Sequence, residues 1–196
     1  LRLCPTLTPA ISARLRQRML RSDSNEHRFW EAWFASHPGE DNFLNAHFAE
    51  ICEILRTYDV TLCLGDATRA ASIYDATADS LRKAELTHIR ELVDQARAQQ
   101  VQVIVENAGH STMDKVQESM KELRYMGHEA PVLTIGPLQT NAAFGFEALS
   151  LAMGGASAAW QGASLLSCAP ITALRHQLKP ADKKHTLYRA LLMAKV

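Results

Sequence analysis

Two short segments of this 196-residue chain end in side chains suited to chemistry. Val101-Gln-Val-Ile-Val-Glu106-Asn-Ala-Gly-His110 is a β-branched apolar run that closes on a carboxylate, a glycine turn and an imidazole. Gly65-Asp66-Ala-Thr-Arg69 follows another apolar run and sets a guanidinium three residues after a carboxylate. Arginine suits bidentate binding of phosphate or carboxylate, and a nearby aspartate can orient a ribose hydroxyl. The bland reading of Asp66 and Arg69 is an exposed local ion pair, worth little. His110 can ligate a metal through a neutral ring nitrogen whose tautomer a carboxylate fixes from behind. It needs a partner, and His176, which follows the last apolar run, is the best candidate.

These residues converge only if the segments carrying them are strands of one sheet. Val60 to Leu64, Val101 to Val105, Val132 to Ile135 and Ala163 to Ser167 are too short and too apolar or β-branched to be helices. Between them Leu44, Phe48, Ile51 and Leu55 share one helical face, as do Leu86, Ile89, Leu92, Val93 and Ala96, and then Met113, Val116, Met120 and Leu123. Ser111 and Asp114 are spaced as a capping box for the third of these helices. Further helices are expected from about Ala142 to Met153 and from about Lys183 to Ala194. Strands alternating with helices imply an α/β fold with a parallel sheet buried on both faces. Periodicity alone does not separate an open sheet from a closed barrel. In either, the turns after the strands lie on one rim, so Asp66, Arg69, Glu106 and His110 can meet.

Composition excludes several classes of partner. Twenty-one basic and twenty-one acidic side chains cancel, which removes the electrostatic case for nucleic acid or an anionic membrane surface. No apolar stretch is long enough for a bilayer span and none reads as a signal peptide, so a cytoplasmic protein is expected. Cys4, Cys52, Cys63 and Cys168 are scattered, without a Cys-x-x-Cys pair, and point to neither a disulfide framework nor a cysteine-held metal cluster. Cys52, Cys63 and Cys168 read as small core residues. His27, His37, His47, His88, His128 and His185 sit in helical or flanking positions and read as structural or solvated. At 47% hydrophobic and 21% charged residues, the chain is expected to form one ordinary globular domain over residues 1–196.

At its turns the sequence resembles the phosphomethylpyrimidine synthase family, radical S-adenosylmethionine enzymes that make the pyrimidine half of thiamine. The resemblance runs from about Ser24 to Pro180. It rests on Tyr58-Asp-Val-Thr-Leu-Cys-Leu-Gly65-Asp66-Ala-Thr-Arg69, Val101 to His110, and His128-Glu-Ala-Pro-Val-Leu-Thr-Ile-Gly136-Pro137-Leu-Gln-Thr140. It implies a (β/α)8 TIM barrel, present here as an incomplete barrel of about four to five βα units, since a whole one needs roughly 250 residues. The implied activity is that of a carbon-carbon lyase, the radical rearrangement of aminoimidazole ribotide to hydroxymethylpyrimidine phosphate. The resemblance further implies that Ser24, Asp66, Arg69 and Glu106 contact the substrate and that His110 and His176 hold a divalent metal, zinc or iron. Ungapped, the second histidine would fall on Leu174, and a short insertion after Cys168 brings His176 there.

S-adenosylmethionine and a 4Fe-4S cluster are also implied, but the family's Cys-x-x-Cys-x-x-x-x-Cys loop is not among these residues. The radical is therefore not expected from this chain alone. The chain departs from the family at Asn25 and Glu26, in the alanine-rich turn Ala67 to Ala71, at Asn107 and Ala108, at Leu133, and from Phe144 to Ala148. Such changes keep two other readings open. One is 5-hydroxybenzimidazole synthase, which uses the same ribotide to make a cobamide lower ligand, and the other is a degenerate member that binds without turnover. Open edge strands lead to the expectation of a homodimer.

Overall fold

The computed structural model describes residues 1–16, 25–70, 73–77, 80–106, 111–135 and 146–167. In chain order these form β1 (Arg2–Leu3), α1 (Pro9–Leu15), α2 (Asn25–Ser36), α3 (Phe43–Ala46), α4 (Phe48–Thr57), β2 (Leu62–Leu64) and α5 (Ile73–Thr77). There follow α6 (Ser80–Ala98), β3 (Val103–Glu106), α7 (Met113–Met126), β4 (Val132–Ile135), α8 (Glu147–Trp160) and β5 (Leu165–Ser167). The five strands are all parallel and lie in the order β1-β2-β3-β4-β5. A doubly wound sheet reverses its order partway. These strands do not.

Each strand is added on the same side of the last, and crossovers between parallel strands are right-handed, so the connecting helices fall on one face. Leu62, Leu64, Val103, Val105 and Val132 turn to that face and are buried. They meet Phe48, Cys52 and Leu55 from α4, the stripe from Leu86 to Ala96 on α6, and Val116, Met120 and Leu123 from α7 in one core. Burying Leu86, Ile89, Leu92 and Val93, each worth about 1.5–3 kcal/mol, anchors a helix whose other faces are heavily charged. The registers Arg2↔Cys63↔Ile104 and Glu106↔Leu133 set these residues on the opposite face. There Cys63, Ile104 and Leu133 are only half-buried. Among the described residues the helices of the main core therefore lie on one face, while on the other face Glu106 is buried as well.

A smaller core supports the rim. Cys4, Leu7, Ile11, Leu15, Trp30, Ala67 and Leu81 pack together, with Trp33, Phe34 and Leu44 against them. The Thr8 hydroxyl accepts from the Ile11 amide at the start of α1, where Pro9 is the first helical residue. Buried Asn42 accepts from the Leu44 amide and donates to the carbonyls of Pro5 and Leu7, tying α3 to the loop after β1.

Local details differ from the sequence expectations in several places. The helix read through Leu44 and Leu55 is two helices, α3 and α4, because His47 between them leaves helical geometry at φ −106° and ψ 23°. Thr112, not Ser111, is the N-cap of α7, and the Ser111 hydroxyl donates to the Thr112 carbonyl instead. A hydrogen bond from Thr112 holds the Asp114 carboxyl below its usual range. Met113, expected on the buried face, is 48% exposed because it opens the helix ahead of the first packed turn. Helix α8 continues to Trp160, past Met153, and β1 has no counterpart among the expected strands. Cys52 is buried and Cys63 half-buried, whereas Cys168 and the helix expected from Lys183 to Ala194 lie outside the described residues. Among the described residues no helix is long and apolar enough to cross a membrane.

Candidate functional site

Asp66, Arg69 and Glu106 come together where β2 and β3 end. Arg69 Nη2 donates to Asp66 Oδ1 at 2.9 Å and to Glu106 Oε1 at 2.7 Å. Ser24, His110 and His176 lie outside the described residues. A fourth member, Arg2 on β1, was not anticipated: its Nε donates to Glu106 Oε2 at 2.5 Å and its Nη2 to Glu106 Oε1 at 2.9 Å. Arg2 reaches Glu106 across the end of β2, the strand between them. Gly65 lies there, and a Cβ on it would stand 2.8 Å from Cys4 Sγ and 3.0 Å from Arg2 Nη2. The glycine is what leaves room for the crossing guanidinium.

Burial separates the charges of the cluster into two layers. The side chains of Glu106 and Asp66 are 2% and 3% exposed, while those of Arg2 and Arg69 are 36% and 29% exposed. The carboxylates lie beneath, and the surface a ligand meets is cationic. Burial opposes the charge on Arg69, but Asp66 and then Glu106 outweigh it and raise its pKa further. Both Glu106 oxygens accept from guanidinium donors, so this carboxylate orients the two arginines. Arg69 Nε is buried and makes no hydrogen bond among the described residues.

A further carboxylate lies under the turn that carries Asp66 and Arg69. Glu85, on α6, is 2% exposed. It accepts from Thr6 Oγ1 at 2.6 Å, from the Ala67 amide at 2.7 Å, from the Thr68 amide at 3.3 Å and from the Thr68 hydroxyl. Burial and then the charge of Asp66 push Glu85 up to about 6, against the lowering effect of these hydrogen bonds. Arg2, Leu3 and Cys4 also line a cavity of about 360 Å³ together with Phe29, Trp30 and Phe43.

Neither Arg2 nor Glu85 was singled out from sequence. Arg2 sits in a strand of two residues, too short to show a period. Glu85 did leave a signal, since it falls four residues from both Leu81 and Ile89 on the buried stripe of α6, where a charge is out of place. Among the described residues no group of three or more His, Cys, Asp or Glu side chains could hold a metal ion.

A model of the radical SAM ThiC family matches the chain over residues 7–184. That span contains Asp66, Arg69, Glu85 and Glu106 and leaves Arg2 just before it. With both cores and the rim cluster built almost wholly from matched residues, this chain belongs to the radical SAM ThiC family, the phosphomethylpyrimidine synthases.

Proposed function

We propose that the rim cluster binds aminoimidazole ribotide and that the chain serves the radical rearrangement of this ribotide to hydroxymethylpyrimidine phosphate, a carbon-carbon lyase step of thiamine biosynthesis. The observation that carries the reading is the layering of the site, two arginines outermost over two buried carboxylates. Arg69 and Arg2 present N–H donors to the phosphate or ribose oxygens, while Asp66 and Glu106 fix the directions of those donors. In this proposal residues 1–196 are one domain, a partial (β/α)8 barrel of about four to five βα units. Its uniform strand order and one-sided helical cover support that.

His110 and His176 are the proposed ligands of a divalent ion, zinc or iron, and Ser24 is a further proposed substrate contact. A four-iron cluster with S-adenosylmethionine would supply the radical chemistry of this family. The described cysteines do not fit such a cluster, because Cys52 and Cys4 lie in two separate cores and Cys63 on the sheet. That observation favours binding without turnover by these residues alone as the second reading. The altered turn from Ala67 to Ala71 is what keeps 5-hydroxybenzimidazole synthase beside it.

Calorimetric titration of the chain with aminoimidazole ribotide tests the binding step. Arg69→Ala is expected to weaken affinity at least tenfold, the scale of one charge-assisted hydrogen bond at roughly 1.5–3 kcal/mol. Equal affinity removes the role assigned to Arg69. Mass-spectrometric identification of the product from the chain supplied with S-adenosylmethionine, iron, sulfide and reductant separates hydroxymethylpyrimidine phosphate, 5-hydroxybenzimidazole and no product.

A further inference from the structure

We infer that Glu85 is the positioning residue of the rim site, holding the turn between Asp66 and Arg69 in the shape that aims both side chains at Glu106 and a ligand. The inference rests on the ribotide reading of that site. Ala67 and Thr68 are the two residues between Asp66 and Arg69, and both backbone amides point at Glu85: the Ala67 amide at 2.7 Å, the Thr68 amide at 3.3 Å from either oxygen. The Thr68 hydroxyl donates to the same carboxylate. A turn whose successive N–H groups converge on one buried acceptor has little freedom to rotate its flanking side chains.

Glu85 also joins two loops that are distant in sequence. Thr6, in the loop after β1, donates its hydroxyl to Oε1 at 2.6 Å, across 79 positions. The strand that carries Arg2 and the turn that carries Arg69 are therefore indexed to one carboxylate on α6. Arg2 approaches Glu106 from that strand and Arg69 from that turn, and their shared reference explains how two guanidiniums meet one carboxylate without either displacing the other. The hydrogen bonds of Glu85 go to Thr6, Ala67 and Thr68, and it is buried at 2% exposure, so it acts through the turn rather than on a ligand.

The experiment is a cycle of four chains, wild type, Glu85→Gln, Arg69→Ala and the double variant. Each is titrated calorimetrically with aminoimidazole ribotide and checked for native circular dichroism. Glu85→Gln is expected to weaken binding about tenfold in the wild-type background and less than twofold once Arg69 is removed. The same factor in both backgrounds, or native affinity in Glu85→Gln, overturns the inference. Arg69→Ala with native affinity instead overturns the ribotide reading at that residue. In that event amide exchange decides the inference by itself: Glu85→Gln is expected to speed exchange at residues 66–69 while the middle of α6 stays protected. Unchanged exchange at 66–69 overturns it. If Glu85→Gln does not fold, Thr6→Val removes one hydroxyl from the same carboxylate and is expected to speed exchange at 66–69, although Thr6 lies outside the turn. No change in Thr6→Val overturns the inference equally.

Discussion

Arg2 and Glu106 are 104 positions apart and are joined by a two-pronged hydrogen bond, Nε to Oε2 at 2.5 Å and Nη2 to Oε1 at 2.9 Å. The join spans β2, so it staples the first strand to the third. Arg2→Ala leaves Glu106, which is 1% exposed, with Arg69 as its remaining cationic donor among the described contacts. Removing one partner of a buried carboxylate costs about 1–3 kcal/mol. Urea unfolding is expected to show a loss of that size in Arg2→Ala. A loss below about 0.5 kcal/mol, the scale of an exposed pair, would show that solvent already screens the fork.

Gly65→Ala tests the crossing itself. The new Cβ would stand 2.8 Å from the buried Cys4 sulfur and 3.0 Å from Arg2 Nη2, and the sulfur cannot retreat as a flexible surface side chain can. Overpacking of this kind typically costs 1–3 kcal/mol. Part of that cost comes from displacing Arg2, so Gly65→Ala is expected to destabilise the Arg2→Ala chain less than the wild type. Equal costs in the two backgrounds, read by urea unfolding, would mean that Gly65 and Arg2 are independent.

Glu85 gives the stability curve a definite sign. Burial, then the neighbouring charge of Asp66, raises its pKa from 4.5 to about 6 in the folded chain. The folded state then binds this proton more tightly than the unfolded state does. The contribution of Glu85 is therefore most favourable below pH 4.5 and declines as pH rises towards about 6. Glu85→Gln cannot titrate, so the stability of wild type minus that of the variant is expected to fall across this window and level off above it. A difference that rises with pH would reverse the assignment.

The proposed metal site is tested by metal content. Purified protein is expected to carry about one divalent ion per chain, and His110→Ala and His176→Ala are each expected to lower this sharply. Unchanged content in both variants would exclude the two-histidine site.

Much of the candidate site was legible because it is local. The β-branched runs ending at Leu64 and Glu106 announced two strands, and Asp66, Arg69 and Glu106 followed as rim residues from where those runs stop. The stripes on α6 and α7 were legible for the same reason, since a helical period repeats within a few residues. Ser111 was misread because the helix begins one residue later, with Thr112 in the N-cap position.

By itself the sequence determined β2 to β5, the amphipathic stripes of α6 and α7 and the three described rim residues it nominated, all of them encoded in short-range pattern. Only the tertiary structure decided that the carboxylates lie beneath the arginines, that Arg2 joins them and that Glu85 braces their turn. Those relations depend on strand register and on contacts across 104 and 79 positions, where nothing in the local period says which residues will meet.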